Sequence, residues 1–260
     1  PYCDITLTYH KTSNNLRCHY CGYTLVNPEV CPECHEKALT SYGLGTEKLE
    51  EEIKQRYNVN TVRMDADTTT RKGSQDEIIR KIESGEAKII IGTQMIAKGF
   101  DFPNVTLVGI INADDALNVP DFRSGERTFE LLSQTSGRAG RGSKKGETII
   151  QTFNPDNKTL LFVKNNDYKS LYSYEMEIRK ALKYPPYFYL TLIKIASKDY
   201  EMASSEARKV YSFLNRNLKD TIILGPTTSA MFKMNNVYRF QIILKYKNYD
   251  LIKPTLINLD

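Results

Sequence analysis

Two stretches of this chain carry residue types suited to phosphate chemistry. Gly92-Thr93-Gln94-Met95-Ile96-Ala97-Lys98-Gly99-Phe100-Asp101-Phe102 combines small residues, a hydroxyl and fixed positive charge, as a backbone wrapped around phosphate requires. Downstream, Gln134-Thr135-Ser136-Gly137-Arg138-Ala139-Gly140-Arg141 repeats that chemistry with two arginines three apart. Arginines at this spacing on a helical turn project from one side. Beside glycines they suit the charge spread over a transferring phosphoryl group, where one such finger is worth ~10³–10⁵ in rate. Either motif alone reads equally as a solvated loop; the pair together argues for phosphate.

The surrounding sequence says which elements must position them. Leu49, Ile53 and Tyr57 share one helical stripe, and Thr46, after Gly43-Leu44-Gly45, is the expected N-cap. Thr61 to Met64 reads as a strand. A second helix starts at Ser74, where Ser74 and Glu77 spell a capping box, with Ile78, Ile79 and Ile82 facing inward and Gly85 as its stop. Ala87 to Ile91 and Val105 to Ile111 are short apolar runs of the kind buried on both faces of a sheet. A helix from about Glu126 to Gln134 and a strand from Glu147 to Thr152 follow. Alternating strands and helices predict an α/β fold with a parallel sheet, in which ligands gather at the carboxyl ends of strands. The first motif leaves the strand ending at Ile91 there, and the arginines leave the helix before the last strand. The pair Asp114-Asp115 follows a strand too, but without a phosphate loop it reads as structural. Between the two helices, residues 65–73 read as either a family-like segment or a capped polar loop.

GTQMIAKGFDFPNVTLVG and QTSGRAGR resemble motifs V and VI of superfamily-2 nucleic-acid helicases. With the cysteines and GLGTEKLEEEI upstream, the chain resembles the PriA family of bacterial replication-restart helicases from its first residues to at least Lys245. The resemblance implies a RecA-like helicase lobe, an inserted cysteine-rich zinc arm and a small α+β C-terminal domain. It implies that Gly45, Thr46, Thr93, Gln94 and Lys98 face DNA, and that Gly99 and Asp101 link their loop to the nucleotide. It places Arg138 and Arg141 toward a γ-phosphate, with Gln134 helping to position the attacking water or the phosphate. At the position of Asp101 members of this family often lack an acid, although helicases more widely carry one.

Cys18-His19-Tyr20-Cys21 and Cys31-Pro32-Glu33-Cys34 are two CxxC knuckles, the spacing that lets two thiolates reach one ion from a tight turn. The simplest assignment is a single zinc site of Cys18, Cys21, Cys31 and Cys34. The resemblance implies two interleaved sites instead, with Cys3, Cys18 and Cys21 in one, and Cys31 and Cys34 as half of the other. His10, His19 and His35 read as surface residues. Any zinc held here is expected to be structural.

The chain has 260 residues, 40% of them apolar, enough for about two domains. No apolar run approaches the ~18 residues of a membrane span, no leader pattern is visible, and the resemblance implies a cytoplasmic protein. The net charge is +5, yet residues 160–260 hold 16 Lys and Arg against 9 Asp and Glu. A basic domain is the footprint of a polyanion partner. Residues 167–183 read as a helix, Tyr187 to Ser197 as a strand, and Glu201 to Leu218 as a helix with Ala203, Ala207, Val210 and Leu214 inward. A strand from Thr221 is expected to break at Gly225-Pro226, and a helix near Asp250 closes a β-α-β-β-α pattern. From Val237 to Tyr246, Tyr238, Phe240, Ile242 and Leu244 alternate with Arg239, Gln241 and Lys245. Lys233, Arg239, Lys245 and Lys247 are thus expected on one open sheet face, tracking a nucleic-acid backbone.

These readings divide the chain into a zinc-binding region (1–40), a helicase lobe (41–154) and a basic domain (165–260). The first functional expectation is part of an ATP- and Mg²⁺-dependent 3′–5′ DNA helicase of primosome assembly. Its implied partners are forked and single-stranded DNA, single-stranded DNA-binding protein and helicase-loading proteins. No phosphate loop of the GxxxxGK type followed by Ser or Thr is present, so the chain reads as a fragment that does not hydrolyse ATP alone. The alternative is a non-enzymatic zinc-knuckle adaptor for single-stranded DNA. An RNA helicase would share the motor motifs.

Overall fold

Strand and helix follow the sequence pattern closely where apolar periodicity is strong, and depart from it where a single polar residue was asked to end an element. The computed structural model describes every residue except 1, 11–12, 32, 38–44, 66–67, 70–72, 98–101, 141–144 and 260. It divides into two compact units, one of Pro1–Ser41 with Ile178–Asp260 and the other Tyr42–Glu177.

The first unit begins with short antiparallel strands β1 (Thr8–His10), β2 (Asn15–Arg17) and β3 (Thr24–Val26), in the order β1-β2-β3. The first cysteine knuckle makes the β2–β3 turn, and the second follows β3. In both, the residue four after the first cysteine takes a left-handed backbone: Gly22 at φ 74° and His35 at φ 58°. Its N–H returns to the cysteine carbonyl, Gly22 to Cys18 at 2.9 Å and His35 to Cys31 at 2.9 Å. Cys18 N–H then reaches Tyr23 and Cys31 N–H reaches Glu36, so the two knuckles are copies of one turn.

The second unit holds α1 (Thr46–Tyr57), β4 (Thr61–Met64), α2 (Ser74–Glu83), β5 (Ile89–Gly92), α3 (Gln94–Ala97), β6 (Leu107–Ile110), α4 (Asp114–Leu117), α5 (Ser124–Ser136), β7 (Glu147–Ile150) and α6 (Lys158–Lys164). It also holds most of α7 (Tyr168–Ala181). β4 pairs parallel with β5, Thr61 opposite Ile89, and β6 pairs parallel with β7, Leu107 opposite Glu147. Parallel pairing with helical crossovers is the expected fold class. Its burial differs from expectation. Leu107 and Ile149 are exposed, because one face of the β6–β7 pair has no covering layer among the described residues. The other face packs Ile110 and Ile150 against a core of Phe129, Leu132, Leu160, Val163 and Leu171. α6 and the first turns of α7 therefore belong to this core, although basic character sets in near residue 160.

Two expected caps are not formed. Gly45, not Thr46, stands at the cap of α1, and Gly73, at φ 85°, precedes α2 in place of a Ser74 cap. Glu77 of the expected capping box pairs one turn onward with Lys81 at 3.0 Å. Leu49 and Ile53 are half-buried as the stripe predicts, but Tyr57 at its end is exposed.

The tail returns to the first unit with β8 (Tyr189–Ser197), α8 (Tyr200–Asn217), β9 (Ile222–Met234), β10 (Val237–Tyr246) and α9 (Tyr249–Ile257), the expected β-α-β-β-α order. The strands are antiparallel in the order β8-β10-β9. β9 does not stop at Gly225-Pro226. It runs through them, accommodating the glycine (φ 105°) by register shifts against β10. Leu214, Ile242, Leu244 and Ile252 form one buried cluster, and Ala203, Ala207 and Phe240 another, so α8 and α9 cover the face that alternation assigned to the core. Asp199 caps α8 by accepting from Met202 N–H at 2.7 Å. No helix among the described residues is long and apolar enough to cross a membrane.

Candidate phosphate-facing loops and cysteine cluster

Gly92 ends β5 opposite Met64, and its lack of a side chain is a packing requirement. A Cβ there would collide with the Met64 carbonyl and the Ile96 side chain. The chain can therefore turn at once into Thr93 and Gln94, both exposed, and into the short α3. α3 packs against α5, so the loop leaving β5 and the helix leading to Arg138 are brought together within one unit.

The arginine motif differs from its expected geometry. α5 ends at Ser136, and Arg138 lies in the turn beyond it rather than on a helical turn. That turn is firmly placed. Arg138 N–H donates to Thr135 at 3.1 Å, Ala139 N–H to Ser136 at 3.2 Å, and Gly140 N–H to Val105, just before β6, at 2.9 Å. A Cβ on Gly146 would strike the backbone of Ala139 and Gly140, so the chain entering β7 presses on the same turn. Arg138 is half-buried and Gln134, in the last turn of α5, is exposed. Lys98, Gly99, Asp101 and Arg141 lie outside the described residues.

Gly45 is exposed beside the start of α1. Thr46 is half-buried, and its hydroxyl is already engaged, donating to Asp65 Oδ2 at 2.6 Å. Asp65 is the residue that sequence reasoning undervalued. It is 6% exposed, directly after β4, and gathers the Thr46 hydroxyl, the Thr68 N–H at 2.9 Å and Arg63 Nε at 3.0 Å. Burial pushes its pKa up, but the Thr46 and Thr68 hydrogen bonds and the Arg63 guanidinium outweigh that and hold it below the usual value. The carboxylate thus ties the first turn of α1 to the loop after β4. The local Asp-x-x-Thr spacing was the available signal; Thr46, 19 residues away, was not. Asp114 has a similar structural task, accepting from Thr152 Oγ1 at 2.9 Å and Phe153 N–H at 3.0 Å.

Among the cysteines, the structure gathers Cys3, Cys18 and Cys21, whose sulfurs lie within 4.8 Å of one another. Cys31 and Cys34 do not join them, so the single site of Cys18, Cys21, Cys31 and Cys34 is not the arrangement found. A tetrahedral zinc with Zn–S near 2.3 Å sets its sulfurs about 3.8 Å apart. Three thiols at this separation fit three corners after a small contraction. N–H groups of Cys21 and Tyr20 point at Cys18 and draw its pKa down to about 7, favouring the thiolate that a metal needs. The corresponding N–H groups of Cys34 and Glu33 lower that of Cys31. Cys3 receives a donor from far along the chain: Asn235 N–H, in the β9–β10 turn, lies 3.3 Å from its sulfur. Asp4 N–H to Lys233 at 2.8 Å and Asn236 N–H to Tyr2 at 2.9 Å complete that seam. No single-segment pattern could have announced it. His10 and His19 rings lie 5.1 Å apart, outside the sulfur cluster.

Of the tail cations, Lys245 departs furthest from expectation. It is 7% exposed, not open to solvent. Its ammonium donates to the Leu182 carbonyl at the end of α7, at 2.9 Å, and lies 3.6 Å from the Tyr184 ring centre. The negative end of the α7 dipole explains why a lysine tolerates burial there. Arg239 turns back on its own hairpin, donating to Val237 O at 3.0 Å and Met234 O at 3.3 Å. Lys233 lies 5.3 Å from the Tyr238 ring.

Comparison with known proteins agrees with this architecture. The family model for the helicase conserved C-terminal domain matches residues 35–143, that for the PriA DNA helicase Cys-rich region residues 1–25, and that for the primosomal protein N C-terminal domain residues 180–257. The chain is 46% identical to Replication restart protein PriA of Bacillus subtilis over 249 residues, 95% of this chain and 31% of that protein. It is 40% identical to the Borreliella burgdorferi protein of that name, over 97% of this chain and 38% of that protein. For the Haemophilus influenzae protein the figures are 37%, 98% and 35%. The chain thus spans about a third of the length of these curated relatives. Knuckles, parallel α/β lobe and β-α-β-β-α tail occur in the order of the three matched models, and the chain belongs to the PriA replication-restart family, to whose C-terminal portion it corresponds.

Proposed function

We propose that this chain supplies the second motor lobe, the metal arm and the DNA-holding tail of an ATP-driven 3′–5′ DNA helicase that restarts stalled replication forks. The observation that carries the reading is the packing of α3, at the carboxyl end of β5, against α5, whose end delivers Arg138. In a parallel α/β sheet that rim is where ligands bind. Residues 1–40 act as the arm, 41–154 as the lobe and 165–260 as the tail. Thr93, Gln94 and Lys98 contact the phosphates of a DNA strand, positioning it without reading sequence. Gly99 and Asp101 couple that contact to the nucleotide. Arg138 and Arg141 stabilise charge on the transferring phosphoryl group, and Gln134 orients the attacking water. ATP and Mg²⁺ are held chiefly by a phosphate loop outside this chain.

Zinc would be held by Cys3, Cys18 and Cys21 with a fourth ligand beyond this chain, and by Cys31 and Cys34 with a second pair beyond it. It would supply rigidity rather than catalysis. By family likeness the arm and tail engage forked DNA, single-stranded DNA-binding protein and helicase-loading proteins.

The test is Arg138→Ala in the complete protein. DNA-stimulated ATP turnover should fall by roughly 10³-fold or more while DNA affinity is retained. Unchanged turnover would overturn the motor reading and leave a non-enzymatic adaptor. The 260-residue chain alone should show no DNA-stimulated hydrolysis.

A further inference from the structure

The three strands of the tail carry no carboxylate. From Ile178 to Lys198 and from Thr221 to Tyr249 the sequence places nine Lys and Arg residues and not one Asp or Glu. The acids of this region fall at 199–220 and 250–260, on or beside α8 and α9. Those helices cover the face of Phe240, Ile242 and Leu244. On the opposite face Lys194, Leu192 and Leu224 are exposed, the end of α7 covers Lys245, and the strands bring no acid.

At one end of that face the cations meet an aromatic ring. Phe188 immediately precedes β8 and Lys247 immediately follows β10, and the pairing of Tyr189 with Tyr246 continues outward to set them side by side. Lys247 Nζ lies 5.4 Å from the Phe188 ring centre, and Lys183 Nζ lies 5.9 Å from it. Lys183 is fixed there by the end of α7. It takes φ 56° where the helix stops, and Tyr184 N–H closes back to Arg179 at 2.8 Å. Beneath them Lys245 braces the same helix end. Among the described residues no carboxylate pairs with Lys183 or Lys247, and both are exposed. Phe188 is half-buried, with Tyr187 exposed beside it.

We infer that this rim is the seat of single-stranded nucleic acid on the tail, Lys183 and Lys247 holding phosphates while Phe188 stacks under a base. The inference rests on the DNA-binding reading above and names the residues that perform it. It moves the contact away from Arg239, which is turned into its hairpin, and Lys245, which is buried. A half-buried ring has two exposed ammonium groups over it, neither paired with a carboxylate among the described residues. This matches the alternation of base and phosphate along a single strand, the lysines swinging outward to the phosphates as a base takes their place. An acidic peptide would use the charges and leave the ring idle.

The test is fluorescence anisotropy of a labelled thymidine oligonucleotide with the 260-residue chain, across a salt series. Lys183→Asn keeps the left-handed backbone and removes the charge; it is combined with Lys247→Gln. The pair should lower the slope of log K against log salt by about 1.4, at ~0.7 per phosphate contact on a single strand. Phe188→Leu should weaken binding roughly five- to hundredfold, the span of one lost base stack. A charge-matched control, Lys209→Ala with Lys219→Ala on the helix side, should leave the slope near wild type. Wild-type affinity and slope in the Lys183/Lys247 variant, with the wild-type chain binding DNA, would overturn this site alone. A wild-type chain that binds no oligonucleotide would overturn both the site and the DNA-binding reading. Equal affinity for an abasic oligonucleotide, or for a polyglutamate of the same charge, would overturn the stacking assignment.

Discussion

Asp65 offers the sharpest quantitative test of the lobe's architecture. Its carboxylate is 6% exposed and holds Thr46, Thr68 and Arg63 at 2.6, 2.9 and 3.0 Å. Asp65→Asn preserves one acceptor for Thr68 N–H, and the Thr46 hydroxyl can reverse to accept. What it removes is the ion pair with Arg63, whose side chain is only 19% exposed, and the charge on two hydrogen bonds. Charge-assisted bonds contribute roughly 1.5–3 kcal/mol each, and breaking a buried pair costs about 3–5 kcal/mol. With part of the network kept, Asn should cost about 2–3 kcal/mol and Ala about 3–5 kcal/mol. The assay is native-state hydrogen exchange of the β4 amides Val62 to Met64, with β8 and β10 as internal reference. A 2–3 kcal/mol loss speeds exchange in β4 by roughly 30- to 150-fold. The pH dependence has a definite sign. The folded pKa is depressed, so the stabilisation is fully present above the ordinary value of 3.8 and is lost as pH falls through the folded value. Exchange in β4 within threefold of wild type for Asp65→Asn, or an unchanged acid limb, would refute the reasoning.

Gly92→Ala should loosen the same ladder by about 1–3 kcal/mol, since its Cβ meets the Met64 carbonyl and Ile96; β4 exchange reads this directly. Lys245→Met should lower the tail's stability by about 1–3 kcal/mol through the orphaned Leu182 carbonyl, measured as faster exchange in β10. Loading the chain with zinc and titrating with a chromogenic chelator should show that Cys3→Ser or Cys18→Ser speeds metal release from one site. Cys31→Ser should leave that site's release unchanged, because Cys31 is not among the clustered sulfurs.

The parts of the fold that depend on local periodicity were legible in the sequence. Thr61 to Met64 is a strand with those ends, and Ala203, Ala207 and Leu214 face inward along α8 because their spacing matches the helical repeat. Illegible features were those decided by a distant partner. Alternation put Lys245 on the open face, and on that face it sits, yet the end of α7 closes over it. Thr46 has the look of an N-cap, but a carboxylate 19 residues on offers its hydroxyl a stronger bond. Arg138 was expected on a helix whose last residue proves to be Ser136, Gly137 being the point where the turn begins. Gly225-Pro226 interrupts strand propensity, but the ladder to β10 spans the interruption by shifting register. The site follows the same rule. Motif spacing singled out the two candidate segments, whereas their packing through α3 and α5 required the tertiary fold.

The bond from Asn235 to Cys3 joins points 232 residues apart. A ribosome adding roughly 5–20 residues each second exposes the cysteine strands for about 10–50 s before their hairpin exists. The entire Tyr42–Glu177 body is threaded out and free to fold in that interval, as an insert within another unit's sequence. The nascent thiols thus meet cellular metal and oxidant first, and the tail that will buttress them last.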